Sequence, residues 1–205
     1  MLGYLQANSR PDISMSVHQC ARFSIDPKLS HEQAITRIGR YLRDTHDRGI
    51  IYRPDRKKGL EVFVDADFAG GWNKNDPHDV DSLYSRAGYV IKYAGCPIYW
   101  KSKIMNGELA LSTAEAEFMA LYLALREVLP LMTMMKEINE VIPLHIDKSN
   151  FYCNVWEDNQ SCISMAESTK FSPRTKHIAL KYHHFKQFLD SGRINIRYVN
   201  THEQI

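Results

Sequence analysis

The feature that most constrains the fold is a short apolar stretch that contains two aspartates. Residues 62–72 read Val-Phe-Val-Asp-Ala-Asp-Phe-Ala-Gly-Gly-Trp, and the apolar run ends at the glycine pair. Alternate side chains of a β-strand share a face, so Phe63, Asp65 and Asp67 are expected to point the same way. Acids are rare in buried strands unless they are paired or bind a cation. The stretch is therefore either an exposed edge strand that leads into a turn or part of a cation site.

The composition indicates a folded chain with no strong charge bias. The chain has 205 residues, of which 44% are hydrophobic and 11% aromatic, so a sizeable core can form. Lys and Arg number 26 against 24 acids, and with a formal net charge of +2 any basic binding surface must be local. The four cysteines show no C-x-x-C spacing, which argues against a disulfide scaffold or a zinc ribbon.

The sequence shows neither a leader nor a run of about 18 apolar residues. It also shows no glycine-rich phosphate loop and no Cys/His cluster. We therefore expect an intracellular protein, cytoplasmic or nuclear, with no membrane partner and no small-molecule cofactor.

Residues 1–55 are predicted to form a small helical segment, and residues 56–205 a larger domain. One helix is expected to begin at Arg10-Pro11-Asp12, and a second to run from Ser30 to about Leu42. A short strand is possible at Ile50–Arg53. The outer face of the second helix, either solvated surface or a phosphate-binding surface, carries Arg37, Arg40 and Arg43.

The rest of the chain predicts strands followed by helices, which favours an α+β or mixed-sheet domain. The hydrophobic pattern predicts, in chain order, a hairpin of Gly88–Ala94 and Pro97–Lys101 around Gly95-Cys96, a helix from about 113 to 128 that Pro130 interrupts, a β-rich run at Phe151–Trp156, a short helix at Ser161–Ala166 and a final strand at Ile194–Val199.

Two of these elements carry acids that can approach Asp65. Glu115 and Glu117 begin the long helix near opposite borders of its apolar stripe, so one of them faces the strands, and the spacing slightly favours Glu117. Asp158 follows the β-rich run where a helix begins, so it is either a helix N-cap or a third acid of the same pocket. Acids on a strand, a helix and a strand end can converge in a mixed sheet.

A pocket with three acids needs a proton or a cation. Two carboxylates at about 4 Å repel each other by roughly 4 kcal/mol at an effective dielectric constant of 20. Oxygen ligands alone suit Mg²⁺ or Mn²⁺. Two such ions about 3.5–4 Å apart can activate a water and stabilise the leaving oxygen of a phosphodiester.

Four motifs in order give the chain a family resemblance. They are Val64-Asp65-Ala66-Asp67-Phe68-Ala69-Gly70, Ser112-Thr113-Ala114-Glu115-Ala116-Glu117-Phe118, Asp158-Asn159-Gln160-Ser161 and Arg174-Thr175-Lys176-His177-Ile178. Together they resemble the ribonuclease H region of copia-type retrotransposon Pol polyproteins. The likeness extends upstream, where Arg10-Pro11-Asp12-Ile13, Arg22-Phe23 and Arg40-Tyr41-Leu42 resemble the connection segment that joins the polymerase to ribonuclease H.

The resemblance implies a ribonuclease H-like fold, a mixed five-stranded sheet flanked by helices. It also implies metal-dependent cleavage of the RNA strand of RNA–DNA hybrids, with two Mg²⁺ or Mn²⁺ ions, as part of a reverse transcriptase polyprotein. Asp65, Glu117 and Asp158 match the first three acidic positions and are the expected catalytic residues and metal ligands. Asp67 and Glu115 match family positions that neighbour the metal site.

The acid-free basic run at residues 170–189 supplies candidates for nucleic-acid binding. Such a run is usually solvated surface, but beside a carboxylate pocket it is well placed to hold phosphates. We expect Arg174, Lys176 and His177 to contact the backbone, with capping of the following helix as the alternative for His177.

The sequence also departs from the family pattern. The family's fourth acid follows the Tyr198-Val199 strand and a Thr201-x-x-Gln204-like turn, and the sequence stops before it, so the C-terminal helix is expected to be truncated. Glu157 stands where the family usually has Cys or a small residue, and Trp156 is unusual there. Two alternatives stay open: a catalytically inactive, truncated nucleic-acid-binding remnant, and a DNA-cutting, integrase-like member of the same fold.

Overall fold

Five strands form one mixed sheet in the computed structural model, which describes residues 1–55, 57–72, 82–107, 109–144, 146, 151–168 and 185–204. The strands are β1 Leu60–Asp67, β2 Arg86–Tyr93, β3 Cys96–Ile104, β4 Cys153–Glu157 and β5 Ile194–Tyr198. Their order across the sheet is β3-β2-β1-β4-β5. Strands β1 to β3 are antiparallel, whereas β4 and β5 run parallel to β1. The predicted fold class, a mixed five-stranded sheet flanked by helices, is confirmed.

The central position of β1 decides the first open question. Because β1 pairs with β2 on one side and with β4 on the other, it is not an edge strand. One face of β1 is completely buried at Leu60, Val62 and Val64, while Asp65 on the other face is exposed. The aspartates therefore stand at the open end of an otherwise buried strand.

The predicted hairpin is confirmed, with its turn one residue earlier than expected. Ala94 and Gly95 form a two-residue loop, and both have positive φ angles, 51° and 76°. Two successive left-handed residues match the twist of the flanking antiparallel strands. A glycine at the second position removes most of the steric cost of this turn.

Helix α4 covers one face of the sheet and is longer than predicted. It runs from Thr113 to Val141 and includes Pro130, so the predicted interruption is wrong. Proline costs about 3 kcal/mol inside a helix. Leu125, Val128 and Met132 on either side of Pro130 are completely buried, and this packing holds the helix together while the proline itself is exposed. Although α4 is long and apolar enough to cross a membrane, 56% of its most apolar window is buried within this fold.

Two further helical segments complete this layer. Helix α5 runs from Gln160 to Glu167, close to the predicted bounds. Residues 185–190 are also helical, and the ring of Phe185 lies 5.7 Å from that of Phe118 in α4. The layer on this face of the sheet thus contains the main hydrophobic core.

Three helices precede the sheet and pack around a second, smaller core. They are α1 Leu2–Asn8, α2 Ser14–Ala21 and α3 Leu29–Asp44, with a 3₁₀ turn at Pro11–Ile13. Their shared core consists of Ile13, Val17 and Ile38. Helix α3 is capped by Lys28 instead of the expected Ser30. The strand predicted at Ile50–Arg53 is wrong: Ile51 and Tyr52 are 73% and 57% exposed, and the sheet offers them no partner.

Candidate metal centre

The three acids predicted from the sequence lie together. Asp65, Glu117 and Asp158 each offer a carboxylate oxygen, and these oxygens lie within 4.8 Å of one another. Parallel pairing of β1 with β4 brings Asp65 and Asp158 to the same end of the sheet. The first turns of α4 pack against that end and bring in Glu117. The fold therefore closes gaps of 52 and 41 residues along the chain.

The two glutamates of α4 have different roles. The Ser112 side chain is the N-cap of the helix and accepts a hydrogen bond from the Glu115 amide at 3.2 Å. The Glu115 carboxylate in turn accepts one from the Leu111 amide at 2.9 Å. Both glutamates are only 7% exposed, so burial does not distinguish them. Glu115 closes the start of the helix, and the Glu117 carboxylate joins the pocket.

Asp158 is not the helix cap that the sequence left open. The neighbouring Asn159 caps α5, since its side-chain oxygen accepts a hydrogen bond from the Cys162 amide at 3.0 Å. Asp158 is instead held by the Thr201 hydroxyl, which donates to its Oδ2 at 2.7 Å. Because its neighbour caps the helix, the Asp158 carboxylate stays available to the pocket.

The pocket is electrostatically unfavourable for three carboxylates. Burial, followed by repulsion from Asp158, raises the pKa of Asp65. Burial also raises the pKa of Glu117 to about 9, helped by the negative charges of Glu157, Asp65 and Asp158. Glu117 Oε2 is buried, and no described residue forms a hydrogen bond with it. At neutral pH Glu117 needs either a proton or a cation.

A fourth acid, Glu157, is close enough to this group for its charge to act on Glu117. It is completely buried in β4, and burial raises its pKa to about 8. Its Oε1 accepts a hydrogen bond from the Asn159 amide at 3.1 Å, whereas its Oε2 has no partner. Among the neighbouring charges, Glu157 has the largest effect on Glu117. The departure noted in the sequence is thus an extra buried acid next to the pocket.

The donor set fits a hard divalent cation. All three converging groups are carboxylates, and the unpartnered Glu117 oxygen is a free acceptor. Such oxygens are the ligands that Mg²⁺ and Mn²⁺ prefer. The buried thiol of Cys162 lies near the same charges, but burial and those charges raise its pKa, so it stays protonated. The chemistry of the site is therefore that of oxygen ligands.

The sequence did not identify two residues that brace the pocket. The turn at Thr201–Glu203 places Thr201 against Asp158, and the side-chain amide of Gln204 donates to the Val64 carbonyl in β1. The pattern Thr201-x-x-Gln204 was visible in the sequence, but nothing in it indicates contacts with elements more than 40 residues away.

The remaining acid of the first motif, Asp67, does not join the pocket. Asp67 does not belong to the converging group, and its carboxylate contacts the Cα region of Gly70. Arg174, Lys176 and His177 lie outside the described residues, so their proposed backbone contacts stay predictions.

Comparison with known proteins identifies relatives along the whole chain. No protein-family model matches. The retrovirus-related Pol polyprotein from transposon TNT 1-94 of Nicotiana tabacum is 32% identical over 202 residues, which cover 98% of this chain and 14% of the relative. The corresponding polyprotein from transposon RE1 of Arabidopsis thaliana is 31% identical over 208 residues, 100% of this chain and 13% of the relative. The chain spans about one-seventh of these relatives.

Solved structures share the fold at low identity. A foamy viral protease-reverse transcriptase in complex with an RNA/DNA hybrid superposes with a TM-score of 0.50 at 16% identity, covering 86% of this chain and 19% of that one. LC11-RNase H1 in complex with an RNA/DNA hybrid covers 71% of this chain and 88% of its own, with a TM-score of 0.45 and 11% identity. Over its whole length the chain is similar to a short region of copia-type retrotransposon Pol polyproteins, and it has a ribonuclease H-like fold.

Proposed function

We propose that the chain is a metal-dependent ribonuclease H domain of a retrotransposon Pol polyprotein, which hydrolyses the RNA strand of RNA–DNA hybrids. One observation carries the proposal. Carboxylate oxygens of Asp65, Glu117 and Asp158, from three separate parts of the chain, lie within 4.8 Å of one another, and one buried Glu117 oxygen has no hydrogen-bond partner among the described residues. Such an arrangement is costly unless a cation neutralises it.

In this proposal the three acids hold two Mg²⁺ or Mn²⁺ ions. When bound, such a pair supplies an activated water and stabilises the leaving oxygen of a phosphodiester. Asp65 is exposed and faces solvent, so it lies where a substrate approaches. Glu117 is buried and forms the inner wall, and the Thr201 hydroxyl orients Asp158.

The proposed partner is an RNA–DNA hybrid within the larger polyprotein. The foamy viral enzyme with the same fold is described in complex with such a hybrid, which supports this substrate class. Arg174, Lys176 and His177 are the proposed backbone contacts on this chain, because cations beside a carboxylate pocket can bind the phosphates.

Replacing Asp65 or Asp158 by Asn tests this function. Each change removes a ligand charge and is expected to abolish Mg²⁺-dependent hybrid cleavage while hybrid binding survives, since the nucleic acid is held mainly by cations. The matched control is Asp44→Asn, an exposed position at the end of α3. Cleavage measured on labelled hybrid, with Mg²⁺ and with chelator, gives the answer. Unchanged cleavage in both variants would contradict the proposal.

Glu157 favours a second candidate function, that of a catalytically inactive nucleic-acid-binding remnant. Its buried negative charge is the strongest charge effect opposing ionisation of Glu117, which the metal site needs ionised. Measurable Mg²⁺-dependent turnover by the wild-type chain would exclude this candidate. Cleavage of duplex DNA but not of hybrid would instead favour an integrase-like activity.

A further inference from the structure

A cavity of about 270 Å³ lies between α2 and the ends of β1 and β2. It is lined by Gln19, Arg22, Phe23, Asp67, Tyr84 and Arg86, among others. Residues of the N-terminal helical segment thus form one wall, and residues of the sheet form the other. Its lining includes Asp67 and Gly70, which are exposed, so solvent reaches it.

The cavity contains a buried cation, Arg86, whose hydrogen-bond partners among the described residues are all neutral. Arg86 is only 8% exposed. Its guanidinium donates to Gln19 Oε1 at 2.6 Å, to Ser102 Oγ at 3.2 Å and to His18 Nδ1 at 3.2 Å. Burial and the nearby cations lower the pKa of His18, so the ring is neutral and accepts this hydrogen bond. Within the described ranges, no carboxylate oxygen lies within 4.0 Å of Arg86. Burial and repulsion from Arg22 lower the pKa of Arg86, and the charge of Asp67 offsets this only in part. The positive charge in the cavity is thus incompletely balanced, which favours an anion.

The cavity lies beside the acid pocket on the same face of the sheet. Asp67 is the cross-strand partner of Arg86, and Asp65 is the partner of Gly88. Asp67 is two residues, or about 7 Å, along β1 from Asp65, and Arg86 lies directly opposite Asp67. A polyanion that reaches the acid pocket is therefore close enough to reach Arg86 as well.

We propose that this cavity binds a backbone phosphodiester of the nucleic acid, next to the one held at the acid pocket, with Arg86 as the buried anchor and Arg22 as a second cation. The inference rests on the proposed function for its choice of ligand. It adds that α2, from the N-terminal segment, takes part in substrate binding. Asp67 also lines the cavity, and its charge favours a singly charged diester over doubly charged free phosphate. Phe23 and Tyr84 supply apolar walls for the adjoining sugar.

The experiment compares Arg86→Gln with Arg48→Gln, which removes one charge from an exposed position after α3. Affinity for a short RNA–DNA hybrid is measured by fluorescence anisotropy in chelator over a range of salt concentrations. Arg86→Gln is expected to weaken binding about tenfold and to reduce the salt slope by about one, the value for one lost phosphate contact. Arg48→Gln is expected to match the wild type.

The outcomes separate this proposal from the proposed function. A folded Arg86→Gln variant that binds hybrid with the wild-type affinity and slope overturns the proposal, even where cleavage is intact. If the wild-type chain does not cleave hybrid but Arg86→Gln still weakens hybrid binding, phosphate binding by the cavity is supported and the proposed cleavage activity is contradicted. Arg22→Gln replaces Arg86→Gln if the latter does not fold, and wild-type binding by it overturns the proposal.

Discussion

At the scale of single residues, the sequence identifies the three acids of the pocket. It does not decide between each acid and a neighbouring residue that could take the same role. Asp65 was identifiable because an acid is rarely found in an apolar strand unless it is paired or binds a cation. The choice of Glu117 over Glu115 was only slightly favoured, because the decisive fact is a capping contact between Glu115 and the Leu111 amide. Asp158 and Asn159 are both good N-caps, so only the structure shows that Asn159 takes that role. Local rules can assign a residue type to a site but cannot rank two neighbours.

Glu157→Gln is expected to stabilise the chain in chelator at neutral and higher pH. Glu157 has a pKa of about 8 in the folded protein against 4.5 for the ordinary side chain, so folding becomes less favourable as the pH rises above 4.5. Glutamine keeps the shape and the acceptor for the Asn159 amide but carries no charge. At about pH 8 the gain in unfolding free energy is on the order of 4 kcal/mol, falling to near zero at about pH 4.5.

Chemical denaturation at both pH values measures this difference. Glu32→Gln, at an exposed position in the first turn of α3, is the matched control and is expected to change little. An equal effect of Glu157→Gln at both pH values would show that packing and not charge decides its contribution.

At the scale of elements, periodicity and turn chemistry predicted most strands and helices near their observed positions. The exceptions share a cause. Helix α4 continues through Pro130 because its flanking residues are buried against the sheet, and the Ile50–Arg53 strand is missing because no strand edge reaches it. Both outcomes depend on tertiary contacts, which override local preference.

The turn at Thr201–Glu203 is expected to control catalysis more than stability. Thr201→Val removes the hydroxyl that holds Asp158 while keeping the side-chain shape. The contact is exposed, so the loss in unfolding free energy is expected to stay below about 1 kcal/mol. A misplaced ligand typically weakens metal affinity or activity by about tenfold or more. We therefore expect a higher Mg²⁺ requirement and a lower kcat for hybrid cleavage.

Thr201→Ser restores the hydroxyl and should recover most of the activity. Thr36→Val, at an exposed position of α3, serves as the matched control for loss of a hydroxyl. If the Mg²⁺ dependence of Thr201→Val matched that of the wild type, the turn would have no positioning role.

At the scale of the whole molecule, the topology is what assembles the site. The sequence showed three acids on different elements, but their convergence depends on parallel pairing of β1 with β4 and on the packing of α4. The distances between the acids along the sequence do not predict that β1 pairs with β4. The same topology places α2 over the sheet end that carries Arg86, although sequence composition separated residues 1–55 from the rest. That division stays a prediction.

The acid pocket also makes the stability of the whole chain depend on pH and on divalent ions. Glu117 has a pKa of about 9 in the folded protein against 4.5 ordinarily, and the pKa of Asp65 is raised as well. Between these values the folded chain binds more protons than the unfolded chain, so in chelator its stability falls as the pH rises. Mg²⁺ or Mn²⁺ replaces the proton and binds only the folded state, which raises the melting temperature.

The rise is expected to be larger at about pH 8.5 than at about pH 5.5, since at the lower pH the ion must displace a proton. Thermal melts with Mg²⁺, Mn²⁺ and chelator measure it. Asp65→Asn should reduce the rise and Asp44→Asn should leave it unchanged, whereas melting that ignores divalent ions at both pH values would show that these carboxylates hold no metal.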